Sequence, residues 1–346
     1  METSNYTRQL PKIDLHHHFD GAFDLEHLYH EARRRKLPQG KLPETEFYAR
    51  CQVSPQCRTL TEFLAVFEFF YDIAQDAEFL YEEARHLPGR MAAQGVIYLE
   101  TRFGPHLFSG PGLTPERVTE AVISGLESAL RTGGETQPPV RLILCAMRNV
   151  PVAHVEELLS LYEKFAPRGV CGIDLAGDES RYACREYAPV FARAKEMGIP
   201  VTIHAGEAAG YESMLDAIDL FGARRIGHGI RAVESSALLE RLAREKITLE
   251  VCLTSNLQTG NARSYREHPF EKLRAAGVPV TINTDDPSVS AIDLGHEWQQ
   301  AISTYALTPH EQEQILLNAV NAAFCSAGEQ ERMRKTIRDF FAALPQ

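Results

Sequence analysis

The sequence predicts an α/β fold: a (β/α)8 barrel with extra helices after the first strand and a helical C-terminal tail. Three observations predict it. Eight short stretches of β-branched and apolar residues recur along the 346-residue chain, as buried strands do. Helical patterns separate them, and each crossover is long enough for a parallel connection. Histidines and carboxylates gather after the strand ends, not before them, and in a barrel those ends form one rim. Barrels of this length form one unit, so residues 1–346 read as a single domain.

The first strand runs from Lys12 to Leu15 and into His16-His17-His18-Phe19-Asp20-Gly21. Side chains two apart in a strand face one way. His16 and His18 therefore make a chelating pair, while His17 turns elsewhere as a bystander. Asp24 is the expected N-cap of a helix with Leu25, Leu28, Tyr29 and Ala32 on one stripe. The basic run Arg33-Arg34-Arg35-Lys36 complements the dipole at that helix's C-terminus. Thr59 to Ala74 reads as one further helix, with Leu60, Phe63, Leu64, Phe67 and Phe70 at helical spacing. Spacing alone favours a core role for this stripe.

Val96 to Arg102 is the second strand, and Glu100 is expected to pair with Arg102 on its buried face. Thr114-Pro115 opens a helix carrying Val118, Val122 and Leu126, and Gly133-Gly134 ends it. Strands three to eight are Arg141 to Ala146, Val170 to Leu175, Val201 to His204, Arg225 to Gly227, Thr248 to Cys252 and Val278 to Asn283. Helical patterns such as Val155 to Phe165 and Leu238 to Arg244 lie between them. Pro309 to Phe324 and Glu329 to Ala343 are helical and are expected to close the barrel.

The bulk numbers bound the function. A hydrophobic content of 44% supports a large core, and a net charge of −11 argues against nucleic-acid or anionic-membrane partners. The seven cysteines are scattered and form no C-x-x-C pair, as free thiols in a reducing compartment do. The N-terminus lacks a signal-peptide core and no apolar run spans a bilayer, so a soluble cytoplasmic protein is expected. Nothing in the sequence sets the oligomeric state.

The chemistry centres on Pro200 to Glu207, which reads P-V-T-I-H-A-G-E. The strand delivers His204 to the rim, Ala205 and Gly206 permit a tight turn, and Glu207 returns to the space His204 faces. His16, His18, His204 and Asp285 are the expected ligands of one zinc ion, since three imidazoles and a carboxylate suit a borderline divalent cation. Zinc lowers the pKa of a bound water toward neutrality. His228 would orient or deprotonate that water, and Glu207 would give a proton to the substrate. For that role Glu207 must be protonated at working pH, an effect expected from burial. Two-metal barrels carry a bridging lysine after strand four; here that stretch reads I-D-L-A-G-D-E, so one metal is expected.

Taken together, P-K-I-D-L-H-H-H-F-D-G, Y-L-E-T-R, D-L-A-G-D-E, H-A-G-E, R-I-G-H-G, S-N-L-Q-T-G and N-T-D-D-P resemble the adenosine deaminases of the amidohydrolase superfamily. The motifs occur in order over residues 11 to 287, and L-T-P-H-E-Q…N-A-V-N-A-A-F extends the resemblance toward the C-terminus. The resemblance implies a zinc barrel that converts adenosine, and 2′-deoxyadenosine, to inosine compounds and ammonia. Its ligand and proton-handling positions fall on His16, His18, His204, Asp285, Glu207 and His228. It further implies that the Gly177 N–H meets purine N3, that Asp286 meets N7 and that Asp20 binds the ribose 5′-hydroxyl. It makes Leu60, Phe63, Leu64 and Phe67 an apolar lid, against the core role that spacing favours.

Two departures stand out. Vertebrate enzymes carry proline after the strand-seven cysteine, whereas this chain has Cys252-Leu253-Thr254, which suggests a bacterial-type enzyme. Phe19 stands where leucine is common. The rivals are adenine deaminase, which typically reads S-N-x-K-L where this chain has Ser255-Asn256-Leu257-Gln258-Thr259, and aminodeoxyfutalosine deaminase, which differs at the ribose 5′ position. A non-catalytic barrel would tolerate loss of Glu207 or a ligand, and none is lost. A zinc hydrolase for an unrelated amide or ester fits the lid and the Asp285-Asp286 pair less well. Zinc deaminases with an H-x-E…P-C-x-x-C site are excluded, because that pattern is missing.

Overall fold

A computed structural model describes residues 3–134 and 137–344. Eight strands run in parallel: β1 (Lys12–His18), β2 (Val96–Phe103), β3 (Val140–Met147), β4 (Val170–Ala176), β5 (Thr202–Ala205), β6 (Arg225–His228), β7 (Thr248–Val251) and β8 (Val280–Ile282). They form two four-stranded sheets in sequence order, β1 to β4 and β5 to β8. Single bridges between Ile173 and Val201 and between His17 and Asp285 join the sheets at both seams. The barrel therefore closes as the alternation predicts. No helix among the described residues is long and apolar enough to cross a membrane. All seven cysteines are free.

The β8–β1 seam positions chemistry. The Asp285 N–H donates to the His16 carbonyl at 2.8 Å, and the His18 N–H donates to the Asp285 carbonyl at 2.7 Å. Leu15 N–H donates to the Asn283 side-chain oxygen at 3.0 Å, so a side chain completes the seam. These bonds hold His16 and His18 beside Asp285. Strand β1 continues through His18, so both histidines stand on the strand and not in a loop beyond it.

Two expectations need correction. Thr59 to Ala74 is not one helix: Leu60–Leu64 is helical, Phe67–Phe69 forms a 3-10 turn, and Tyr71–Ala74 is helical again. The run Phe67 to Tyr71 is mostly aromatic, and such side chains lose rotamer freedom against a preceding helical turn. The break also lets Phe70 join the core against Phe23, at a ring distance of 6.2 Å, while Phe67 faces the barrel mouth. Glu100 and Arg102 do not pair with each other. Glu100 binds Arg225 at 2.7 Å, and Arg102 binds both Asp174 and Glu250 at 2.8 Å. The neighbouring strands bring oppositely charged groups into the barrel axis, where each charge gains a partner at shorter range.

The result is an ionic stack inside the barrel. Glu100, Arg225, Glu250, Arg102 and Asp174 are all fully or almost fully buried. Three carboxylates face two guanidiniums, so the stack carries one excess negative charge beneath the rim. The tail packs at the opposite end. Helix Pro309–Ala322 packs against β1 and β8, and the Phe324 ring lies 3.7 Å from the Arg225 guanidinium carbon.

Candidate active site

Every residue singled out from the sequence meets at the C-terminal rim. His18, Asp20, Leu60, Phe63, Leu64, Phe67, Gly177, His204, Glu207, His228, Asp285 and Asp286 line one cavity, and His16 lies fully buried at its floor. His17 points away and bonds Thr101 Oγ1 at 2.9 Å. Ligand-type atoms of His16, His204, His228 and Asp285 lie within 4.8 Å of one another, and those of His18, Asp20 and Asp286 form a second such group.

Hydrogen bonds decide which ring nitrogens are free. His16 Nδ1 lies 2.8 Å from Glu250 Oε2, and His204 Nδ1 lies 2.9 Å from Asp174 Oδ2. A carboxylate only accepts, so each holds its partner's proton on Nδ1 and leaves Nε2 a bare lone pair. His18 Nδ1 faces Asp20 Oδ1 at 3.7 Å, and its Nε2 lies 3.1 Å from His204 Nε2 and 3.4 Å from Asp285 Oδ1. His16 Nε2 is buried without a hydrogen-bond partner, 3.2 Å from Asp285 Oδ1. Acceptors crowded in this way repel one another unless a cation sits among them. Burial works against a charge on His18, yet Asp286, Asp20 and Asp285 push its pKa up to about 9. The residues present therefore fit a metal ion, and the Glu250–His16 and Asp174–His204 pairs are the outer contacts that orient metal-binding imidazoles.

His228 is held differently. The Phe270 N–H donates to His268 Nδ1 at 3.1 Å, so the proton of neutral His268 is on Nε2. Burial lowers the His268 pKa to about 3, which keeps it neutral. His268 Nε2 donates to Asn256 Oδ1 at 3.1 Å, and Asn256 Nδ2 donates to His228 Nδ1 at 3.1 Å. This relay places the His228 proton on Nε2, which faces Glu207 Oε2 at 3.6 Å and Asp285 Oδ2 at 3.9 Å. A ring nitrogen bearing a proton offers no lone pair to a metal. The ligand-ready set is thus His16, His18, His204 and Asp285, and His228 is a hydrogen-bond donor beside it.

The carboxyls differ in charge state. Asp285 is held well below the usual range, against burial, by His228, His16 and His18. Glu207 is pushed up to about 8, first by burial and then by the Asp285 and Glu179 carboxylates. Asp286 is also pushed up by burial, with Asp285 and Asp20 adding to the effect. Among the described residues, buried Asp20 Oδ1 and Asp286 Oδ1 have no hydrogen-bond partner. His228 and Asp285 both adopt left-handed backbone, at φ of 60° and 62°. Such conformations cost about 1–3 kcal/mol each and gather at functional sites.

Gly21 shows how closely the rim is packed. A Cβ there would lie 1.9 Å from Asp286 Oδ1. Gly21→Ala is expected to displace Asp286 and lower kcat/KM by about 100-fold, the scale of a 1 Å misplacement. Steady-state kinetics beside a metal assay checks this, with metal content expected to stay unchanged.

Sequence reasoning missed several participants. Tyr71, Leu107, Cys145, Met147 and Ser255 also line the cavity. Asp174 and Glu250 were legible only as charged residues inside apolar strands. Asn256 stood in the S-N-L-Q-T-G motif with no role assigned to it, and His268 carried no local signal.

Comparison with known proteins agrees with this geometry. The adenosine deaminase family model matches residues 11–340. The adenosine deaminase of Enterococcus faecalis is 35% identical over 339 residues, covering 97% of this chain and 98% of that protein. The Arabidopsis N6-mAMP deaminase MAPDA superposes with a TM-score of 0.85 at 26% identity, covering 97% and 99% of the two chains. A Burkholderia ambifaria amidohydrolase solved with bound zinc shares the fold at a TM-score of 0.85 and 21% identity, covering 99% and 96%. The chain belongs to the adenosine deaminase family.

Proposed function

We propose that this protein hydrolyses adenosine to inosine and ammonia at the rim cavity, with one zinc ion held by His16, His18, His204 and Asp285. The observation that carries the reading is the convergence of the His16, His18 and His204 Nε2 atoms with Asp285 beside a carboxyl, Glu207, that holds its proton near neutrality. A bound zinc ion activates a water for attack at neutral pH.

The chain's own groups supply the rest. Adenine C6 is a poor electrophile until N1 gains a proton. Protonated Glu207 donates that proton to N1 as the oxygen of an ionised water adds to C6 and the C6–N1 double bond becomes single; the proton the water lost on ionising returns to the Glu207 carboxylate by the end of the cycle. His228 Nε2–H orients the incoming oxygen. The adduct then breaks its bond to the 6-amino group, which takes the proton of the added oxygen and leaves as ammonia, while C6 forms its double bond to that oxygen and N1 keeps its proton. Asp286, whose carboxyl burial pushes toward the protonated form, donates to N7. Gly177 presents its N–H to N3, and Asp20 accepts from the ribose 5′-hydroxyl. The free volume of about 50 Å³ falls well below the roughly 300 Å³ at the low end for small-molecule sites. Leu60, Phe63, Leu64 and Phe67 therefore cover the ligand as a lid that must shift for entry. Thr61 on the lid helix donates to Asp178 Oδ2 at 2.6 Å, which ties the lid to the loop after β4.

A nucleotide substrate fits less well. Among the described residues no lysine or arginine lines the cavity, and Asp20 and Asp286 both do. A 5′-phosphate would meet the Asp20 carboxyl with no lysine or arginine beside it. AMP is expected to be a far poorer substrate than adenosine.

Asp286→Asn is expected to lower kcat/KM by about 10- to 100-fold, since it removes a charge-tunable donor from the ring. Metal content should remain one ion per chain. Metal analysis and kinetics on one preparation check both, and loss of metal would make Asp286 a ligand. The function itself is tested by adding a chelator and then restoring zinc: adenosine turnover should vanish and return, and turnover that survives complete metal removal would contradict it.

A further inference from the structure

We propose that Glu179 is a positioning residue that aims Glu207 at the substrate by binding four consecutive backbone amides of the turn that carries it. The inference rests on the reading of Glu207 as proton donor. Residues 206–209 lie between β5 and helix Tyr211–Asp219 and belong to neither. Their amides need acceptors, and one carboxylate supplies them. Glu179 Oε1 accepts from Gly206 N at 2.6 Å, and Oε2 accepts from Glu207, Ala208 and Ala209 N at 3.0, 2.9 and 3.1 Å. The Ser213 hydroxyl also donates to Oε1.

Successive amides turned toward one point form an anion-binding nest. Here the anion comes from the chain itself, one residue past the lid contact of Asp178. Glu179 is buried and does not line the cavity, so it has no part in binding substrate. The turn begins at Gly206, whose φ is +67° and where a Cβ would strike Met214 Sδ at 2.5 Å. The Glu207 side chain itself accepts one long bond, from Thr259 Oγ1 at 3.3 Å. Its aim therefore depends on its backbone, and its backbone depends on Glu179. A glutamine at 179 would bring an NH2 group against amide donors, and the turn would have to move.

The test is a double-mutant cycle in the zinc-loaded protein. Glu179→Gln should lower kcat by about 10- to 100-fold, the usual cost of losing an orienting contact. KM should change less than about threefold, and zinc content should not change, because the residue lines neither the substrate cavity nor the metal-facing set. In a Glu207→Gln background the same change should cost less than about twofold, because residues that act through one group are not additive. An equal loss in both backgrounds, a kcat near wild type, or loss of zinc would overturn the proposal. Glu179→Asp keeps the charge and serves if the glutamine variant does not fold. Its kcat should fall in the wild-type background and not in the Glu207→Gln background, and equal losses would again overturn the proposal. Normal turnover by Glu207→Gln alone would instead defeat the proton-donor reading, a distinct result obtained without touching Glu179.

Discussion

Glu207→Gln is expected to keep one zinc per chain and to lose about two to four orders of magnitude in kcat, the range general acid catalysis contributes. The amide has the shape of the acid but no proton to give to N1. Substrate binding should persist, because glutamine can still hydrogen-bond the ring, so KM should move far less than kcat. The pH profile gives an independent check. Glu207 must be protonated to act, and its carboxyl is pushed up to about 8. Wild-type kcat/KM should therefore fall as pH rises through that region, and a bound cation, which favours the ionised form, would shift the fall to lower pH. The residual activity of Glu207→Gln should lack this alkaline fall. Near-normal turnover would remove Glu207 from the mechanism.

Arg102→Met is expected to destabilise the fold by about 3–5 kcal/mol, the cost of stripping one partner from a buried ion pair. Arg102 is fully buried and neutralises both Asp174 and Glu250. It also donates to the Leu15 carbonyl. Without it Asp174 keeps His204, the Leu175 N–H and the Cys145 thiol but no guanidinium, and Glu250 keeps Arg225. Burial opposes both carboxylates, yet the guanidiniums hold Glu250 well below the usual range, and His204 and Arg102 do the same for Asp174. Groups with depressed folded pKa values stabilise the fold above their unfolded value of about 4, and that stability is lost as pH falls through the folded value. The variant should thus lose most at neutral pH and show a smaller further loss toward acid. Denaturant midpoints at pH 7 and at pH 2 measure both. Since Asp174 and Glu250 orient His204 and His16, zinc affinity should fall as well. An unchanged midpoint at pH 7 would mean that the stack does not support the barrel.

The sequence made legible what depends on short spacing. His16 and His18 share a face because a strand repeats every two residues, and His204 and Glu207 meet because Gly206 allows a turn between them. Asp285 was recognisable by its place after the eighth strand, although its left-handed backbone was not. What stayed hidden depends on contacts between distant segments. Glu100 and Arg102 looked like partners from their spacing, but the barrel axis brings Arg225, Asp174 and Glu250 closer. The lid stripe kept helical spacing through a break that its aromatic run imposes. His268 reaches His228 only through Asn256, and Glu179 reaches Glu207 only through backbone amides that no side-chain pattern records. The metal-facing residues carry their chemistry in their identity, whereas the residues that orient them carry it in tertiary geometry.

The most direct test is the loss of adenosine absorbance on mixing with zinc-loaded protein, with adenine, AMP and 5′-modified aminodeoxyfutalosine run in parallel. The account predicts fast conversion of adenosine to inosine, with adenine and AMP nearly inert and the 5′-modified compound slow. Turnover of the 5′-modified compound without adenosine would move the substrate assignment, and no turnover of any purine by zinc-replete protein would contradict the account at its centre.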